Sequence, residues 1–298
     1  MDELARRLQA VTRTILRYDF EFIIVENGSI DATFEHLVRI RKADERFKVV
    51  RLSRNFGIEG AVTAGLRYAT GDAAVIMTAD LQDPPELIPE FVAKWEQGYE
   101  NVYGIVAKRH DESALRRVLT RCFYWILNRA NEHPVPRNVS DFRLVDRKLY
   151  SSLNGMQERN RMLRTMWGWL GYRSIGIEHE RPPRFGGKST YQIFRNIAFA
   201  LHGIASSTNT PLRLIPMFGI TLSALTFLLF IGLIVRWVAF GVPFSGFGTI
   251  VGLNLVLFSL LFMLLGILSE YIGIIYEEVR QRPIYVVSDA FGFEELSG

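Results

Sequence analysis

A chain of 298 residues holds one good-sized domain plus additional elements. Its 35 Lys and Arg against 31 Asp and Glu leave a net charge of +4, a mild basicity that suits phosphate ligands or an anionic membrane surface, and no nucleic-acid partner is expected. Cys122 is the only cysteine, which excludes an intrachain disulfide framework and fits a reducing compartment.

The N-terminal "MDELARRLQAVTRTIL" reads as an amphipathic helix over 2–17, with charges throughout, and not as a signal peptide. The strand "FEFIIVENGS" follows, then a helix near 31–43, the strand "KVVRLSRN", and a helix near 59–69. After these come the strand "AAVIMTAD", a helix over about 86–97 and the strand "NVYGIVA". This alternation predicts an α/β fold with a mostly parallel sheet and helices on both faces. Such sheets bind ligands outside the carboxyl ends of their strands. Polar clusters lie at those ends: "ENGS" at 26–29, "SRNFG" at 53–57 and "TADLQD" at 78–83. The sequence has no Gly-Lys-Ser/Thr phosphate loop and no G-x-G-x-x-G after a strand, so it gives little support to P-loop or NAD chemistry.

In the third cluster, Asp80 and Gln82 are two residues apart on an irregular segment, followed by Pro84 and Pro85. Oxygen donors at this spacing suit a hard cation, Mg²⁺ or Mn²⁺, that clamps a diphosphate. The prolines turn the chain away from the sheet. The same residues also fit an Asp/Pro turn between strand and helix, with Asp83 as the N-cap.

Composition changes near Pro211. Leu214 to Val235 is free of charge, and so is Thr249 to Ser269; each run is about the roughly 20 residues that cross a bilayer. "FGVPFSG" at 240–246 suits a tight turn between them, and the pair reads as a two-helix transmembrane hairpin, with a buried helical hairpin as the alternative. Arg213, Arg280 and Arg282 flank its open side, so the positive-inside count puts both termini in the cytoplasm, although Arg236 lies near the turn. Before the hairpin, Ile193, Ile197, Leu201 and Ile204 recur at helical spacing, as in a membrane-surface helix or an ordinary core helix. Phe199 lies off that stripe and is a candidate contact with the membrane interface or a second protomer; His202 reads as a surface histidine.

The motifs "VENGSIDAT", "LSRNFGIEGAVTAGLRYATGD", "TADLQDPPEL", "VSDFRLVDRKLY" and "RPPRFGGKSTY" resemble those of family 2 glycosyltransferases. The likeness is nearest to the polyprenyl-phosphate group, the bactoprenol glucosyltransferases and dolichol-phosphate mannose synthases, and it extends to the hairpin and the tail "RPIYVV". It implies a GT-A, Rossmann-like catalytic domain at 1–190, a membrane-surface helix at 191–211, a hairpin at 212–279 with spans of about 214–238 and 248–270, and a cytoplasmic tail at 280–298. The strand that opens a GT-A domain has no counterpart; the chain begins at what reads as the helix after it.

The implied activity is inverting transfer of a sugar, UDP-glucose being the first-choice donor, to a polyprenyl phosphate such as undecaprenyl phosphate. A multi-pass enzyme of the inner membrane is implied, with a cytoplasmic catalytic domain and assembly as a homo-oligomer, a tetramer being the expectation. A processive polysaccharide synthase of the same fold, or a non-enzymatic sugar-nucleotide-binding protein, is the alternative. The resemblance assigns donor binding to Glu26, Asn27, Ser29, Arg54, Asp80 and Gln82, with Asp80 and Gln82 on the metal. It puts Asp141 near the reacting sugar and gives the acceptor phosphate to Arg109, Arg143, Arg161, Arg181, Arg184 and Lys188. The sequence departs from the family pattern at Thr78, which stands where the metal motif has its first acid, at Glu26 and Asn27, which replace an acidic pair, and at Val106, where many relatives have Arg.

Overall fold

The computed structural model describes residues 1–106, 139–159, 161–180, parts of 221–241, and 246–293. The chain divides into two compact units, Met1–Gln192 with Gln281–Gly298, and Ile193–Arg280.

In the first unit, α1 (Asp2–Thr12) leads to β1 (Phe22–Glu26), α2 (Thr33–Ala43), β2 (Phe47–Leu52), α3 (Gly57–Tyr68) and β3 (Ala73–Ile76). A 3₁₀ turn (Pro85–Leu87) precedes α4 (Ile88–Glu96); then come β4 (Asn101–Val106), β5 (Val139–Asp146), α5 (Arg147–Gly155), α6 (Leu163–Trp169) and β6 (Ser174–His179). The second unit contains α7 (Phe247–Val279), after which β7 (Val287–Phe291) belongs to the first unit again.

The sheet is less parallel than the alternation predicts. Three strands run in the order β1-β2-β7 and four in the order β3-β5-β4-β6. Only β1–β2 and β4–β6 are parallel; β2–β7, β3–β5 and β4–β5 are antiparallel. The reason is β5. It enters between β3 and β4 against both, and no local periodicity in "VSDFRLVD" announces that partner choice, since pairing is a long-range property. The tail likewise supplies an edge strand, with Val50 opposite Ala290.

Apolar spacing on α1 buries Leu4, Ala5, Leu8 and Val11 in one cluster with Phe22, Phe47, Phe91, Phe142 and Leu144, so helices and strands of both sheets share a core. A second cluster joins Val145 to Leu149, Leu153, Leu163, Met166 and Trp167, and so seats α5 and α6 beside β5. Asp146 caps α5 by accepting from Lys148 N at 2.8 Å, and its other oxygen accepts from Trp95 Nε1 at 2.8 Å.

Helix α7 has 33 residues, about 50 Å at 1.5 Å per residue. Its Val256–Val279 segment has a mean hydropathy of 2.1 and is long and apolar enough to cross a membrane. This is the only such helix among the described residues. In the expected first span, Thr221, Leu225, Leu228, Ile231, Gly232, Val235, Arg236 and Val238 are helical and exposed, and the rest of that span lies outside the described residues.

Candidate active site

The loop after β1 is built on Glu26 and Gly28. Glu26 is 2% exposed. Its carboxylate accepts from Ser29 N, closing the turn, and pairs with Arg51 at 3.3 Å. Gly28 has φ +70, and a Cβ there would lie 2.4 Å from the Arg54 carbonyl carbon, so only glycine lets this loop touch the one after β2. Asn27 completes the seam: its Oδ1 accepts from Phe56 N at 2.9 Å, and its Nδ2 donates to Gly57 O at 3.0 Å. Glu26 and Asn27 thus hold two loops together. On the rim, Ser29 and Arg54 are exposed, and the Arg54 guanidinium lies 4.0 Å from the Phe56 ring centroid.

The loop after β3 is closed by Asp83, which is fully buried. Asp83 Oδ2 accepts from Thr78 N at 3.1 Å and from Thr78 Oγ1 at 2.8 Å. Asp83 is therefore a loop clasp and not the expected N-cap; Pro84 holds the cap position without a side-chain bond. Asp80 Oδ1 lies 2.8 Å from the same Thr78 Oγ1, whose one proton the two carboxylates share, and accepts from Gln82 N at 3.2 Å. Between Asp80 and Gln82, Leu81 has φ 60, a left-handed backbone that costs a leucine roughly 1–2 kcal/mol. That kink, pinned by the buried Leu81 side chain, re-aims the backbone between the two oxygen donors.

Strand β5 carries Asp141. Ile76 of β3 lies opposite Arg143, so Asp141 stands beyond the end of β3, level with Thr78. On its other side the β4–β5 register shifts between Tyr103 and Ile105, which leaves Ser140–Phe142 irregular. Asp141 is half-buried and takes a two-bond clamp from Arg164 of α6, Nε to Oδ1 at 2.9 Å and Nη2 to Oδ2 at 2.8 Å. Glu59, in the first turn of α3, shares this neighbourhood. Burial raises its pKa above the ordinary carboxylate value and the charge of Asp141 adds to the rise, while Arg164 opposes it.

Two expected acceptor contacts are buried. Arg143 is 3% exposed; its Nη2 donates to Ser140 O at 3.3 Å and its guanidinium lies 5.1 Å from the Trp167 ring centroid. Burial pushes its pKa down to about 10, with the Asp141 charge opposing. Arg161 is 9% exposed and donates to the carbonyls of Glu158, at 3.1 Å, and Met156. Both guanidiniums are thus buried, against Trp167 and backbone carbonyls, and not on the exposed surface the expectation gave them. Arg109, Arg181, Arg184, Lys188 and Phe199 lie outside the described residues, as does the expected surface helix.

Residues 2–153 match the sequence profile of glycosyl transferase family 2. The chain belongs to that family. This glycosyltransferase is an enzyme that transfers sugars. It is 38% identical, over 98% of its length and 91% of the relative's, to an uncharacterised glycosyltransferase of Synechocystis. It is 32% identical to a prophage-derived bactoprenol glucosyl transferase of Shigella flexneri, over 91% of this chain and 87% of that one. A mannosyltransferase of Pyrobaculum calidifontis, solved with GDP-Man and Mn²⁺, is alike at TM-score 0.40 and 18% identity, over 94% of this chain and 85% of that one. That likeness is too low to bear on ligands.

The glycosyltransferase also has site features that sequence reading passed over: Arg164, Glu59 and the Asp83–Ser140 bond at 3.3 Å. Two signals pointed there. Arg164 stands three residues after Arg161, and Glu59 two after "SRNFG". Among the described residues no cluster of three or more His, Cys, Asp or Glu could hold a metal by itself.

Proposed function

We propose that this glycosyltransferase transfers a sugar, with inversion, from a nucleotide-sugar to a polyprenyl phosphate at the cytoplasmic face of the membrane. UDP-glucose is the leading donor and undecaprenyl phosphate the leading acceptor. The observation that carries the reading is the pair of carboxylates, Asp80 in the loop after β3 and Asp141 level with Thr78 on β5, joined through the Asp83–Ser140 bond. The names of the bactoprenol glucosyl transferases support the acceptor class, and the exposed apolar α7 supports a bilayer setting.

The metal fit is partial and consistent. Asp80 and Gln82 offer a carboxylate and an amide oxygen, both suited to Mg²⁺ or Mn²⁺, and six-coordination leaves room for the donor diphosphate and water. Such an ion, when bound, would neutralise the diphosphate and stabilise it as a leaving group. Ser29 and Arg54 stand on the rim available to the donor, and Glu26 and Asn27 hold that rim in shape.

A lipid phosphate is already an anion near neutral pH, so the acceptor needs no strong general base. One of its oxygens attacks the anomeric carbon as the bond to the diphosphate breaks, and the electron pair leaves with the nucleoside diphosphate. The protein's task is to bring two anions together. Arg181, Arg184 and Lys188, beside Gly186 and Gly187, are the reading's acceptor grip, with Arg109 as a further contact. Asp141 orients the sugar. A two-span hairpin with both termini cytoplasmic, Phe199 at the membrane interface, and assembly as a homo-oligomer, a tetramer being the first choice, complete the reading.

The test is transfer of radiolabel from UDP-glucose, UDP-N-acetylglucosamine and GDP-mannose to undecaprenyl phosphate by the full chain in detergent. The expected product is a single-sugar lipid from one donor. A sugar polymer, or no lipid product from any donor, sinks the proposal.

A further inference from the structure

We propose that Arg164 is the positioning residue for Asp141: its fork fixes the direction in which that carboxylate meets the donor sugar. The inference rests on the reading above in taking Asp141 as the group that faces the sugar.

Three observations carry it. First, the pairing is two-pronged, at 2.9 and 2.8 Å, one bond to each oxygen. A carboxylate held at both oxygens has its plane set, whereas a single bond leaves it free to rotate. Second, the backbone does not set that direction. Asp141 sits where β5 falls out of register with β4 and beyond the last paired residue of β3, so the regular ladders end short of it on both sides. Third, the clamp comes from a seated element. Leu163, Met166 and Trp167 bury α6 against the β5 cluster, so Arg164 is presented from a packed surface while its own side chain stays 38% exposed.

The charges around the pair give the clamp a further task. Arg143 stands two residues from Asp141 on the same strand, and the charges of Asp141 and Arg164 act on it and on Glu59 of α3. A diphosphate and a lipid phosphate arriving together would repel a loose carboxylate. Pairing with Arg164 offsets that charge and keeps the oxygens aimed. Arg164 acts through Asp141 and touches no reacting atom, so it is a positioning residue.

The experiment uses the full chain with undecaprenyl phosphate and whichever of UDP-glucose and GDP-mannose the wild type turns over. Arg164→Met should lower kcat on the order of a hundredfold, the scale of a misplaced catalytic group, with the donor KM and nucleotide affinity unchanged. Arg164→Lys keeps the charge without the fork and should fall between. The double variant Asp141→Asn with Arg164→Met should be no slower than Asp141→Asn alone. Wild-type kcat in Arg164→Met, or multiplied losses in the double variant, overturns the inference. If Arg164→Met does not fold, Arg164→Lys decides: a folded protein with wild-type kcat overturns the role of the fork. Normal turnover by Asp141→Asn would instead refute the assignment of Asp141 itself, whatever Arg164 does.

Discussion

Ser140 Oγ donates to Asp83 Oδ1 at 3.3 Å across 57 residues of chain, and Phe142 N donates to the same Ser140 Oγ at 3.1 Å. The loop with Asp80 and the strand with Asp141 are therefore tied through one buried carboxylate. Asp83→Asn puts an amide where Thr78 N, Thr78 Oγ1 and Ser140 Oγ all donate. A mispaired buried group of this kind costs roughly 1–3 kcal/mol. The melting temperature should fall and nucleotide binding should weaken with it; an unchanged melting curve would count against the clasp.

Asp80 and Thr78 separate in the same loop. Asp80→Asn removes the only carboxylate of the proposed metal pair, so Mn²⁺-dependent nucleotide binding should vanish in calorimetry. Thr78→Ala removes a hydroxyl that donates within the loop. Its expected cost is about 1 kcal/mol, or roughly fivefold in affinity. Binding that survives Asp80→Asn, or that needs no metal in the wild type, defeats the assignment.

Leu81 allows the left-handed backbone to be tested directly. Leu81→Ala loses a side chain that is 7% exposed and keeps the strained φ of 60. Leu81→Gly loses the same side chain and relieves the strain, worth roughly 1–2 kcal/mol, against about 0.5–1 kcal/mol of added chain entropy. Glycine should therefore be at least as stable as alanine here, the reverse of the usual order. Denaturant unfolding of the two variants checks it; a clearly less stable glycine variant rules out the strain.

Glu59 gives a pH dependence of known sign. Its folded-state pKa is raised, chiefly by burial. The folded state thus binds the proton more tightly, and stability is lost as pH rises from the ordinary carboxylate range through the raised value. Glu59→Gln lacks that loss. It should gain stability over the wild type near neutral pH, and the gain should disappear below the ordinary carboxylate range. A stability difference that does not vary with pH would refute the burial effect.

Elements whose signals are local were legible before any packing was known. Alternating apolar patterns and the polar clusters at strand ends marked β1 to β4 with the helices between them, because burial of one face repeats at 2 or 3.6 residues whatever the partner. They also brought Asp80 and Gln82 forward as candidates, whereas Asp141 came only from the resemblance to the family. The tertiary structure alone decided the pairings. It ran β5 against both neighbours, brought the tail strand β7 to β2, and joined Arg164 to Asp141 across 23 residues. It also decided which charged groups are reachable. Glu26, Arg143 and Arg161 look like exposed ligand contacts in sequence and are buried in the fold. The reason is physical: a residue's type fixes its charge and hydrogen-bonding capacity, but only packing decides whether that capacity is spent on the protein's own backbone or kept for a ligand.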